Sequence, residues 1–166
     1  VSVGTGFSSV SVANGRVYLT DRQLPTGSAN PDNAFARGEI PGTEGVLCFD
    51  ERDGKLLWSH RYEATYTVSY PAGPRATPLV HDGLLYTLGA EGHLLCLDAA
   101  KGPVVWSRDF TKDFATKTPL WGFAAHPLLD GDKLICLVGG KGSVAVAFDR
   151  KTGRELWRAI DANGPG

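Results

Sequence analysis

Three segments of this chain align on one template, and that repeat limits the fold more than any other feature. They are GVLCFDERDGKLLW (45–58), GHLLCLDAAKGPVVW (92–106) and GSVAVAFDRKTGRELW (142–157). Each carries a small residue, an Asp two positions later, a Gly four further on, and a Trp four beyond that. The sets are Cys48/Asp50/Gly54/Trp58, Cys96/Asp98/Gly102/Trp106 and Ala147/Asp149/Gly153/Trp157. A fixed period of this size is the mark of a repeat architecture, in which each unit must bury its apolar surface against its neighbours.

The chemistry of each position is readable. The apolar runs at 46–49, 94–97 and 144–148 have strand propensity. Asp followed by a polar pair and Gly is turn chemistry, because the carboxylate accepts from nearby backbone amides. The run into each Trp is then the return strand of a hairpin. One Trp per unit, at fixed phase, predicts a large apolar wedge between units with its indole N–H bonded to backbone. A second hairpin precedes each of these, turning at Asn14-Gly15, Asp82-Gly83 and around Asp130-Gly131-Asp132, among the strongest short hairpin signals. Each unit is therefore four antiparallel strands, the content of a propeller blade. No stretch sustains a helical apolar period, so little or no helix is expected. The Gly and Pro counts, 21 and 10, suit many turns between short strands.

The pattern small-x-Asp-x-x-x-Gly-x-x-x-Trp resembles the tryptophan-docking motif of quinoprotein (pyrroloquinoline quinone, PQQ) propeller repeats. SYPAGPRATPLVHDGLLYTLGAEGHLLCLD and WGFAAHPLLDGDKLICLVGGKGSVAVAFD look like the PQQ-like repeat proteins of planctomycete-type bacteria. That superfamily contains PQQ-dependent dehydrogenases and the non-catalytic lipoprotein propeller of outer-membrane assembly. The resemblance implies an all-β propeller with three blades present, at 7–62, 74–110 and 122–160, within a single partial domain over 1–166. It also implies a closed ring of about seven or eight blades. The remaining blades are expected to cover both open edges. A periplasmic or secreted location follows from the resemblance alone.

Loop lengths point to one functional face. The A–B and C–D turns are tight. The long connections fall at 21–44, 63–73 and 111–121, all on the B–C/D–A side, and unstructured loops of that kind commonly carry function. Within the first lies an insertion loop, 22–44, rich in Pro and small polar residues, for which disorder and binding are both open. Arg75, Trp121, His126, Tyr66 and Tyr70 are candidates to line the channel mouth on that face. For each, a packing role stands beside the binding one: an ion pair for Arg75, a hydrogen-bonded core position for His126, and blade capping or loop packing for the aromatics.

Charge and composition exclude several classes. A net charge of −1 argues against a nucleic-acid partner. The longest apolar runs fall well short of the roughly 20 residues of a spanning helix. Cys48, Cys96 and Cys136 are isolated and read as buried apolar thiols. The four His residues show no metal-ligand spacing. The expectation is a non-catalytic binding scaffold for a protein, peptide or glycan, with no cofactor evident and no metal. The alternative is a piece of a PQQ-dependent dehydrogenase oxidising alcohols or sugars. The resemblance implies for such an enzyme a quinone stacked between a Trp and a vicinal disulfide, a nearby calcium ion, and an Asp base. Trp121 is then the one stacking candidate outside the motif, and adjacent cysteines are absent.

Overall fold

The computed structural model describes residues 3–161; Val1, Ser2 and 162–166, the ends of the expected domain, lie outside them. Three four-stranded antiparallel meanders follow one another along the chain. The first is β1 (Ser11–Ala13), β2 (Arg16–Gln23), β3 (Thr43–Asp50) and β4 (Leu56–Glu63). The second is β5 (Leu79–His81), β6 (Leu84–Leu88), β7 (His93–Asp98) and β8 (Val104–Asp109). The third is β9 (Leu128–Asp130), β10 (Lys133–Leu137), β11 (Ala145–Asp149) and β12 (Glu155–Ala159). These are blades of a β-propeller.

The strands A to B of each blade close through two-residue turns, with registers Ala13↔Arg16, His81↔Leu84 and Asp130↔Lys133. In the third blade the turn residues are Gly131 and Asp132, one step later than in the others. Strand C is covered on both faces, so β3 and β7 are almost wholly buried and read as continuous apolar runs. Strand D lies at the outer rim and is far more exposed, as along β12. A register shift recurs at one place in every C–D pair: Cys48/Phe49, Cys96/Leu97 and Ala147/Phe148. Such a bulge bends the strand just before the turn that carries the Asp and Gly. A single turn of helix, α1 (Phe110–Asp113), follows β8. Asp109 caps it by accepting from the Thr111 and Lys112 amides.

The apolar cores sit at the joints between blades. Tyr18, Val46, Cys48, Leu85 and Leu97 pack with Trp58 between the first and second. Tyr86, Cys96, Trp106, Leu134, Cys136 and Phe148 do so between the second and third. The three cysteines are unpaired and buried.

Each completed joint has the same construction. Trp58 Nε1 donates to the Ala99 carbonyl at 3.2 Å, and the Tyr18 hydroxyl donates to the same oxygen at 3.1 Å. Trp106 Nε1 and the Tyr86 hydroxyl converge likewise on the Arg150 carbonyl, at 3.1 and 3.0 Å. The ring of Trp58 lies so near Gly102 that a Cβ there would fall 2.7 Å from a ring carbon; at Gly153, under Trp106, the figure is 2.6 Å. Both glycines also have positive φ, 91° and 68°. Gly is thus required twice over, for its backbone and for its missing side chain. The Asp of the motif holds the same turn: Asp98 Oδ1 accepts from the Ala100 and Lys101 amides, both at 2.8 Å.

At the two flanks the joint is half built. Trp157 is 39% exposed, against 9% for Trp106. Gly54 has open space where its counterparts hold an indole.

Candidate functional site

The long connections do converge. Because β2 and β3 extend in register to Gln23↔Thr43, the insertion narrows to 24–42. It is tied to the connection between the first two blades by an antiparallel bridge, Ile40↔Tyr66, and by the Tyr70 amide donating to the Ala34 carbonyl at 2.7 Å. The next connection joins through the Ser69 amide, which donates to the Leu120 carbonyl at 2.9 Å. Three loops from different blades therefore form one continuous backbone surface, held by hydrogen bonds that no repeat pattern announces.

Beneath that surface lie two carboxylates. Glu44, at the start of β3 and 1% exposed, accepts from the hydroxyls of Tyr62 and Tyr66 and, at 3.0 Å, from the Ala90 amide of the next blade. Burial raises the phenol pKa of both tyrosines, and the adjacent Glu44 charge raises them further. Glu91, in the β6–β7 turn, accepts from the Thr67 amide at 2.5 Å and from the Thr118 hydroxyl at 2.8 Å. It therefore staples the loops on either side of its blade. Neither acid stands out in the sequence, since single acids in loops are ordinary. The one cue is that each sits at a B–C position beside a glycine.

Two arginines serve the same framework. Arg22, 2% exposed, donates to the Pro71 carbonyl at 2.7 Å and the Ile40 carbonyl at 2.8 Å, with its guanidinium 4.0 Å from the centre of the Tyr66 ring. Arg75 donates to the carbonyls of Trp121 (2.9 Å), Ser69 (3.1 Å), Tyr70 (2.6 Å) and Gly73. Its donors are thus spent on backbone rather than on a carboxylate of the next blade. Arg75 acts as a bracket that sets the loops around Tyr70 and Trp121.

Of the five candidates named from sequence, Arg75, Trp121, Tyr66 and Tyr70 come together. Tyr66 is fully buried, so it supports the face from below and presents nothing to a ligand. His126 makes no hydrogen bond or ring contact with them among the described residues. Its Nδ1 accepts from the Thr77 amide at 2.8 Å, linking the inner edges of the second and third blades and placing the proton of the neutral ring on Nε2.

What the face presents is an aromatic cluster that includes a residue not foreseen, Phe35 of the insertion. The Phe35 ring centre lies 5.1 Å from Tyr70 and 6.0 Å from Trp121, and Tyr70 and Trp121 are 5.5 Å apart. Phe35, Tyr70 and Trp121 are 61%, 38% and 48% exposed. Tyr70 has φ 53°, an unusual conformation for an aromatic residue, and its carbonyl and amide are both fixed by hydrogen bonds. Beside the cluster runs an open groove of about 550 Å³, walled by Arg37, Thr67, Lys117, Thr118 and Leu120.

Among the described residues, the donor set does not fit a calcium–quinone centre. Asp21 is held by both terminal nitrogens of Arg61 at 2.9 and 3.0 Å, and Glu44 and Glu91 are engaged as described. Among the described residues no three His, Cys, Asp or Glu side chains gather to hold a metal ion. The cysteines lie in separate strands and form no adjacent pair.

Comparison with known proteins gives a family and a fold. A family model described as outer membrane protein assembly factor BamB matches residues 42–166. The BamB of Kangiella koreensis is 29% identical over 126 residues, which cover 74% of this chain and 28% of that protein. Quinohemoprotein alcohol dehydrogenase ADH IIB of Pseudomonas putida is 34% identical over 87 residues, covering 51% of this chain and 12% of the enzyme. The crystal structure of BamB from Moraxella catarrhalis aligns with a TM-score of 0.51 at 19% identity, over 96% of this chain and 50% of that one. The chain spans less than a third of these two curated relatives.

Proposed function

This chain belongs to the family described as outer membrane protein assembly factor BamB, and from that premise we propose that it is part of a non-catalytic propeller scaffold. It binds a protein or peptide partner through its B–C/D–A loop face. The observation that carries the reading is the Phe35–Tyr70–Trp121 cluster: large, exposed aromatics presented on a backbone surface already fixed by hydrogen bonds. Exposed apolar groups of this kind are the usual anchors of binding sites, and a preformed surface loses little entropy on binding. Further blades of the same ring cover the flanks of Trp157 and Gly54. The periplasm is the compartment proposed, supported by relatives named for outer membrane protein assembly.

The test is site-specific photocrosslinking. A photoreactive residue at Phe35 or Trp121 should form discrete adducts with a protein partner. One at Arg52 or Lys101, in turns on the opposite face, should not. Equal labelling from both faces would refute the assignment. The dehydrogenase alternative draws support from the Pseudomonas putida relative, while the engaged carboxylates weigh against it. Calorimetric titration of PQQ with Ca²⁺, beside a dye-linked alcohol oxidation assay, decides it: saturable binding with turnover would replace the scaffold reading.

A further inference from the structure

Arg37 and Lys117 are the two cations of the groove beside the aromatic cluster. Arg37 makes one hydrogen bond, Nε to the Thr67 carbonyl at 2.7 Å, which leaves its terminal N–H groups without a protein partner among the described residues. Both side chains are exposed, and among the described residues no carboxylate lies within ion-pair distance of either. Most other cations here are committed: Arg22 and Arg75 to carbonyls, Arg61 to Asp21, Arg150 to Asp82 and Asp132, Arg158 to Glu155. Two unneutralised cations facing one groove are therefore available to a ligand.

The groove and the cluster are one surface. Phe35 and Arg37 stand on the same strip of the insertion, and Lys117, Leu120 and Trp121 stand on the loop opposite. We propose that this surface takes an extended acidic peptide segment bearing a large apolar side chain. The apolar group lies on Phe35, Tyr70 and Trp121, and the carboxylates lie between Arg37 and Lys117. The proposal rests on the binding-scaffold reading and specifies its partner. Two cations on a chain of net charge −1 are too few for a nucleic-acid backbone. A small free anion is disfavoured as well, because the buried Glu91 lies under the same wall, bonded to Thr67 and Thr118. Its charge opposes the field of the two cations. A ligand must therefore gain from both the apolar and the charged contacts, and a peptide supplies the two at a fixed spacing.

Fluorescence anisotropy on the full chain tests this with short labelled peptides on a Gly-Ser background. One carries several Asp residues around a Trp, a second has Lys in place of Asp, a third keeps the Asp without the Trp, and a fourth keeps the Trp alone. The acidic, Trp-bearing peptide should bind saturably, and more weakly as salt is raised. Its affinity should fall by roughly tenfold or more in Arg37→Glu/Lys117→Glu and in Phe35→Ala, and stay unchanged in Lys101→Glu. These positions are exposed, so circular dichroism should show each variant folded. Binding of the Lys peptide as tightly, or indifference to the charge reversal, overturns the proposal. Equal binding of the peptide carrying Trp alone, lost in Phe35→Ala, overturns the acidic requirement and leaves the scaffold reading intact. If no peptide binds, the proposal fails, and the crosslinking contrast between faces judges the scaffold reading independently.

Discussion

Truncating Trp106 to Ala removes the wedge between the second and third blades, and its cost follows from the geometry of that joint. An indole buries about 150–250 Å². At about 25 cal/mol per Å² this is roughly 4–6 kcal/mol of transfer free energy. Alanine retains part of it, which brings the loss to roughly 3–5 kcal/mol, the range seen for buried aromatics. No large polar term is added. The Arg150 carbonyl loses the indole N–H but keeps the Tyr86 hydroxyl at 3.0 Å, so it is not orphaned. At about 2–4 °C per kcal/mol for a chain of this size, the melting temperature should drop by roughly 6–20 °C. Trp121→Ala is the internal control: the same residue, but outside the repeat and 48% exposed on the loop face. It should cost less, roughly 2–3 kcal/mol. Urea melts of both variants at constant pH measure the difference. Equal losses, or a shift in Trp106→Ala of less than about 3 °C, would refute the docking argument.

Gly153→Ala should destabilise by roughly 2–4 kcal/mol, since it adds overpacking against the Trp106 ring to the strain of a positive φ. Gly83→Ala, in the A–B turn of the second blade with φ 75° and open space, should cost about 1 kcal/mol; chemical denaturation compares them. Alkaline stability tests the Tyr62–Glu44–Tyr66 group. The folded phenol pKa values stand above the ordinary 10.0, so their stabilisation is complete below about pH 10 and is lost above it, as the unfolded chain releases protons first. The two tyrosines together should give a loss of about 2.7 kcal/mol per pH unit there. Urea midpoints between about pH 9 and 12 check the slope; a flat profile would contradict the buried arrangement. The thiols should be inert to a disulfide reagent at pH 8 until the chain is denatured, when all three react. Burial pushes Cys96 up to about 12 and raises Cys48 and Cys136 as well; rapid reaction of folded protein would refute it.

The blades were legible because each docking position must satisfy two demands at once. Gly102 and Gly153 need a particular backbone and an absent side chain, and Trp58 and Trp106 need volume and a donor; few residues meet such pairs of conditions. The site was legible only in outline. Loop lengths located the face, and Arg75, Tyr70 and Trp121 lie on it. Of the two roles open to Tyr66 the structure shows packing: the bridge to Ile40 turns the side chain inward onto Glu44, where a loop tyrosine would ordinarily face solvent. Phe35 was missed because the insertion has no period, and its order comes from hydrogen bonds to loops remote in sequence. The helix α1 is one turn long, too short to leave an apolar repeat, and depends on the Asp109 cap.

The half-built joints at Trp157 and Gly54 also bear on symmetry. One flank offers a wedge and the other a socket, and the two surfaces differ. A two-fold dimer sets a patch against its own copy, wedge on wedge or socket on socket, and satisfies neither. Any association that uses these flanks must be heterologous, every unit added with the same polarity. Such growth ends only when the rotation per blade returns the last wedge to the first socket. Residues that adjust the angle of a single joint therefore decide between a closed ring and an open fibre.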